Sequence, residues 1–194
     1  MDKSTLRDRR RLQTSRDIQL AALKLALDPG YDLLTTEMIA NEAGISQRTF
    51  FNYYLNKDAA IVGTAPCFDD ATLDWLRSSS GPLLDDLMQA LRSLLSDSVL
   101  DRRTTHLVTA LLEARPELAQ LFYTSMRGLR DQIAETALAR TDEINRAQAE
   151  LLADALVHAI AYAFRIWAND ETKTEDSIVD IAIEGLQTLS RMLS

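Results

Sequence analysis

The 194-residue sequence predicts an all-α chain in two domains, and three observations carry that prediction. Apolar residues recur three and four apart along most of the chain, and no run of alternating apolar residues demands a strand. Only six Gly and four Pro interrupt a composition rich in Ala, Leu, Asp, Glu and Arg. The charge divides unevenly: residues 1–64 hold nine Lys/Arg against eight Asp/Glu, net +1, and residues 65–194 hold twelve against twenty-one, net −9. The boundary is expected at 64/65, and a hydrophobic content of 46% is enough to fill a core.

In chain order, residues 1–16, MDKSTLRDRRRLQTSR, set six Lys/Arg against Asp2 and Asp8 and read as a mobile basic arm. Ser15 to Leu27 follows as a helix with Ile18, Ala21, Ala22, Leu25 and Ala26 on one face, stopped by Asp28-Pro29-Gly30. Tyr31, Leu33 and Leu34 are expected to fold back onto it.

Thr36 to Lys57, TEMIANEAGISQRTFFNYYLNK, reads as two short helices around a tight turn. Thr35 or Thr36 can cap the first, whose apolar residues are Ile39, Ala40 and Ala43, and Gly44 can supply the left-handed residue that ends it. Ser46 is the natural cap of the second helix. There Phe50 and Tyr53 or Tyr54 share the side of Ile45, while Gln47, Arg48, Thr49 and Asn52 fall on a polar outer face. A small residue at Ala40 lets the two helices cross closely, the geometry that places a second helix in the major groove of DNA. On that face Arg48 can grip guanine through two hydrogen bonds and Gln47 can grip adenine. Thr49 can offer a hydroxyl or a methyl, and Lys57, at the start of a further helix, can neutralise a phosphate.

With its preceding helix, this stretch resembles the TetR family of bacterial one-component repressors over about Ile18 to Val62. The resemblance implies that Gln47, Arg48, Thr49, Phe51, Asn52, Tyr53 and Lys57 supply most DNA contacts, together with the helix start at Thr35/Thr36. Phe51 stands where the family often carries a phosphate-bonding Tyr, and Leu55-Asn56 replaces its common Pro-Ser. The basic arm adjoins this module and can settle along phosphates or in the minor groove.

Beyond Lys57, a helix through Ala65 is expected to kink or end at Pro66, and Asp69 to Leu76 forms a second segment. Ser78-Ser79-Ser80-Gly81-Pro82 is a loop, and Leu83 to Val99 a helix with a wide leucine stripe. Asp101 can cap Arg102 to Ala114. After the Arg115-Pro116 break, one helix is expected from Pro116 to about Ala139 with Leu118, Leu121, Phe122, Ser125 or Met126, Leu129 and Ile133 inward. Thr141 or Asp142 begins a long helix in which Asp154, His158, Tyr162 and Arg165 draw one polar line on an otherwise apolar cylinder. Thr174 to Leu193 closes the chain. A helix apolar nearly all round must be covered nearly all round, so the last two helices are expected to pair with those of a second copy, as the family resemblance also implies.

Catalysis finds no support in two histidines, His106 and His158, with no metal-ligand cluster, no Gly-rich phosphate loop and no strand-turn nucleophile. Neither a metal nor a cofactor is expected. Cys67 is the single cysteine and cannot form an internal disulfide. No signal segment opens the chain and Ala155 to Trp167 is too short and too interrupted to span a bilayer, so no membrane partner and a cytoplasmic location are expected.

The resemblance also implies an effector pocket between helices of residues 83–168. There His106, Phe122, Tyr123, Met126, Tyr162 and Trp167 are the candidate ligand-binding residues, each combining apolar bulk with an adaptable surface or a polar handle. Aliphatic lining suits a small hydrophobic effector. The RTFF variant of the recognition helix resembles regulators of lipid or secondary metabolism, which suggests an acyl chain or acyl-CoA. The reading is thus an N-terminal three-helix helix-turn-helix domain, 1–64, joined to a helical effector-binding and dimerisation domain, 65–194. Together they make a repressor that binds palindromic double-stranded operator DNA as a homodimer. A constitutive DNA binder without an effector is the rival.

Overall fold

The computed structural model describes residues 3–96 and 101–193, and among them every regular element is a helix. The chain forms two compact units. One combines Met1–Thr64 with Leu107–Thr124, and the other combines Ala65–His106 with Ser125–Ser194.

The first unit opens with α1, Lys3–Leu25, and continues through a π turn, Ala26–Gly30, and a 3₁₀ turn, Tyr31–Leu33. The expected mobile arm is therefore helical from Lys3. Arg, Leu and Gln are good helix formers, and no Gly or Pro interrupts the stretch before Pro29, so propensity extends the helix where no apolar stripe announces one. Met1, Asp2 and the side chains of Lys3, Arg7 and Arg9 lie outside the described residues. Next come α2, Thr36–Glu42, α3, Gln47–Phe51, and α4, Lys57–Val62. Ile18, Leu23, Leu34, Ile39, Phe50 and Ile61 are buried together, and Leu111 and Leu118 complete the cluster. Leu33 does not fold back as expected but stands 70% exposed, because the 3₁₀ turn directs Leu34 inward instead. Nor does α4 reach Ala65. Gly63, at φ +83°, ends it and donates its N–H to the Ala59 carbonyl.

The second unit holds α5, Asp70–Ser78, and α6, Leu83–Ser96; Val99, the expected end of α6, lies outside the described residues. The next helix, α7, Arg102–Ala114, begins in this unit and ends in the first, where α8, Pro116–Ser125, follows it. Back in the second unit are α9, Arg127–Arg140, α10, Arg146–Asn169, and α11, Ser177–Leu193. The single helix expected from Pro116 to Ala139 is thus two. Met126, at φ −71° and ψ −1°, lies at the edge of the helical region and interrupts the helix as the N-cap of α9, and Gly128 weakens the turn that follows. The start expected at Thr141 or Asp142 also moves, because Asn145 and Gln148 form a reciprocal capping box that begins α10 at Arg146. α11 likewise starts at Ser177 rather than Thr174.

One apolar cluster of this unit joins Leu76, Leu87, Leu91, Leu129, Ile133 and Leu156. A second gathers Trp167, Ala163, Ile178 and Ala182. By length and composition alone α10 could cross a membrane, but its buried face serves both clusters, as a core helix does. Two arginines fasten the unit. Arg140 donates to the carboxylate of the buried Asp86 at 2.9 Å and to the Leu76 and Gly81 carbonyls. Arg102 donates to the carbonyls of Trp167, Asp170 and Lys173 at the end of α10, with its guanidinium 4.4 Å from the Trp167 ring centroid.

Candidate nucleic-acid interface

The interface is built on local hydrogen bonds that leave one helix face exposed. Thr35 Oγ1 accepts the Met38 N–H at 3.2 Å and caps α2, so of the two threonines considered Thr35 is the cap. The turn is closed by Gly44 N–H to the Asn41 carbonyl, 3.1 Å, and Ile45 N–H to the Ala40 carbonyl, 2.9 Å, with Gly44 at φ +67°. Ser46 Oγ then accepts the Thr49 N–H at 3.0 Å and caps α3. Buried Phe50 and Ala40 fix the underside.

What remains outside is the expected set. Gln47, Arg48, Phe51 and Asn52 are exposed, while Thr49 and Tyr53 are half-buried. Gln47 Nε2 reaches Thr36 Oγ1 at 3.5 Å and links the starts of the two helices. Thr49 shares a hydrogen bond with the Ser46 hydroxyl at 2.8 Å. Tyr53 packs against the core of the unit, so part of its ring is structural. Phe51 is 51% exposed and meets Phe50 edge to face with centroids 5.4 Å apart; it offers DNA an apolar ring edge and no hydroxyl.

Lys57 begins α4 under the Asn56 cap, whose Oδ1 accepts the Ala59 N–H at 2.8 Å. Its ammonium is already oriented: Nζ donates to the Tyr31 carbonyl at 2.8 Å and lies 4.5 Å from the Tyr31 ring centroid. Two N–H bonds remain for an outside acceptor. Tyr31 in turn donates its hydroxyl to Asp58 Oδ1 at 2.8 Å. Burial, then this hydrogen bond, pushes its pKa up to about 12, so the hydroxyl stays a donor. The fold-back reading of Tyr31 gave no hint of this role. Arg115, read only as part of a chain break, also reaches the ring, at 4.9 Å. No local pattern could reveal that contact.

The six candidate ligand residues divide between the two units. Phe122 and Tyr123 belong to the first unit and pair edge to face at 5.4 Å. His106 and Tyr162 are exposed in the second unit, Met126 packs on one of its clusters, and Trp167, 1% exposed, lies in the other. Among the described residues no group of three His, Cys, Asp or Glu side chains could hold a metal.

A short helix, a glycine turn and a capped second helix with an exposed polar face define a helix-turn-helix module. Residues 18–60, which carry this module, match the family described as bacterial regulatory proteins, tetR family. Two solved structures are similar over most of their lengths. Thermus thermophilus FadR, a TetR-family transcriptional repressor in complex with lauroyl-CoA, is 20% identical, with 88% of this chain and 91% of that one covered and a TM-score of 0.47. A protein of Mesorhizobium loti MAFF303099 described as a TetR-family transcriptional regulator is 18% identical, with 92% and 96% covered and the same TM-score. No curated protein matches the chain.

Proposed function

We propose that the chain is a ligand-responsive, non-enzymatic repressor of the cytoplasm. It binds a palindromic double-stranded operator as a homodimer and is released by a small hydrophobic effector. The observation that carries the DNA reading is the exposed Gln47–Arg48–Asn52 face, held on a capped turn beside the pre-oriented Lys57. In this reading Arg48 and Gln47 contact base edges, Thr49 and Asn52 flank them, and Phe51 touches sugar or a thymine methyl. Lys57 and the helix start at Thr35 and Thr36 meet phosphate.

Dimerisation is supported by the apolar side chains that the last two helices leave exposed, Leu151 and Tyr162 on α10 and Leu189, Met192 and Leu193 on α11. Two copies pairing these faces would make a four-helix interface and present two recognition helices to successive half-sites.

The effector site belongs, on this reading, to the second unit, with His106, Met126, Tyr162 and Trp167 as its candidate contacts. Among the described residues Trp167 Nε1 and Thr136 Oγ1 are each buried in this unit without a hydrogen-bond partner, and either would suit a ligand that carries a polar group on an apolar body. An acyl chain or acyl-CoA has that chemistry. The test is binding of fluorescent duplex from upstream of the chain's own gene, with and without acyl-CoAs of graded length. We expect release by one range of chain lengths. DNA binding indifferent to acyl-CoAs and to a broad panel of apolar metabolites would favour a constitutive DNA binder.

A further inference from the structure

The contact between Arg115 and Tyr31 joins the α7–α8 corner to the module that carries α3. Leu111 and Leu118 flank this corner and are buried in the same cluster as Ile39 and Phe50, so it is seated rather than resting on the surface. Between them Arg115 grips Asp32 with both terminal nitrogens, Nη2 to Oδ2 at 3.0 Å and Nη1 to Oδ1 at 3.4 Å, and meets Glu117 at 3.6 Å. Its guanidinium lies over the same Tyr31 ring that receives the Lys57 ammonium.

Tyr31 and Asp32 form the body of a three-residue 3₁₀ turn preceded by Gly30 at φ +95°. Such a turn is short and has few backbone hydrogen bonds of its own; its Tyr31 carbonyl accepts Leu34 N–H at 3.2 Å and Lys57 Nζ at 2.8 Å. Its orientation therefore depends on side-chain ties, and Arg115 supplies a two-pronged one, the geometry in which guanidinium and carboxylate hold each other most firmly. Charge points the same way. Arg115 pairs with Asp32 and Glu117, and Asp58 accepts the Tyr31 hydroxyl, so removing Arg115 would leave more uncompensated negative charge around the turn that holds Lys57, which disfavours phosphate.

We propose that Arg115 is a positioning residue of the DNA interface: by clamping Asp32 and the Tyr31 ring it fixes the carbonyl that aims Lys57 at phosphate, and it offsets part of the negative charge of Asp32 and Glu117 around that turn. The proposal rests on the reading that the first unit binds DNA and that Lys57 meets its backbone.

The test is a double-mutant cycle read by anisotropy on duplex DNA from upstream of the chain's own gene, between about 0.05 and 0.3 M salt. Lys57→Ala should lower affinity and reduce the slope of log affinity against log salt by about one. Arg115→Gln should do nearly the same, by about three- to tenfold in affinity, and the double variant should be no weaker than Lys57→Ala alone. Arg115→Lys, which keeps the charge but not the fork, should recover part of the slope. If Lys57→Ala changes nothing, the reading of Lys57 as a phosphate contact fails. If Lys57→Ala acts as stated but Arg115→Gln leaves the slope unchanged, or adds its full effect to Lys57→Ala, the positioning role is overturned. Asp32→Asn, which loosens the clamp and keeps Arg115, carries the same cycle should Arg115→Gln not fold; additivity with Lys57→Ala contradicts the proposal there as well.

Discussion

The Gln19 carboxamide occupies the space that a side chain on Gly63 would need. Gln19 Nε2 donates to the Ile61 carbonyl at 3.1 Å, and a Cβ built on Gly63 would collide with that nitrogen. Gly63 also sits at φ +83°, and that backbone conformation is the main reason for glycine where α4 ends, since the Gln19 carboxamide is the end of a flexible side chain and can shift. Gly63→Ala should lower stability by about 1–3 kcal/mol, seen as a lower melting temperature. Adding Gln19→Ala should return the part due to crowding and leave the backbone part. A Gly63→Ala protein that melts with the parent would contradict this account of the helix end.

How far sequence reading reached is set by range. The capped turn was legible because Thr35, Ala40, Gly44, Ser46 and Phe50 lie within one short stretch and each acts on its neighbours. The Arg115–Asp32 clamp was not, since its partners are 83 positions apart and neither has a local signature. The helical state of residues 3–14 was hidden because the usual cue, an apolar stripe, is missing from a basic segment. The break at Met126 was hidden because neither a proline nor a positive φ marks it. The ligand candidates rest on residue type, and residue type does not tell that Trp167 is buried beneath Arg102 while Tyr162 is exposed.

Tyr31 should behave as a late-titrating phenol. Its pKa, raised from 10.0 to about 12 chiefly by burial and then by its bond to Asp58, means the folded state favours the protonated ring. Stability from this source is full below pH 10 and is lost as pH rises toward 12. Spectrophotometric titration of the parent minus Tyr31→Phe should show one phenolate appearing near the upper value. A difference curve centred near 10 would remove Tyr31 from the ordered turn.

For assembly, Leu189→Glu is the cleaner variant, because Leu189 is 57% exposed whereas Gly185 lies against Tyr162, with a Cβ there 3.9 Å from Cε1. Sedimentation of the parent at micromolar concentration should report a dimer. Leu189→Glu should shift it toward monomer and weaken operator binding by at least tenfold, since two linked half-site contacts become one. A parent that sediments as a monomer refutes the paired-helix interface.

Trp167→Phe should separate effector response from DNA binding. It removes the buried Nε1 donor while keeping most of the apolar volume. We expect a reduced rise in melting temperature on adding the active acyl-CoA and unchanged operator affinity without it. An undiminished ligand response would exclude Trp167 from the effector site.

The measurement closest to the central claim is footprinting of the purified protein on DNA upstream of its own gene, with Arg48→Ala and Lys57→Ala alongside. The account predicts protection of two symmetry-related half-sites. Arg48→Ala should lose about 1–3 kcal/mol on that site and relax its base preference, while Lys57→Ala should weaken all sequences alike. No protection by the parent, or variants that bind every duplex as the parent does, would contradict the assignment of α3 as the helix that reads DNA.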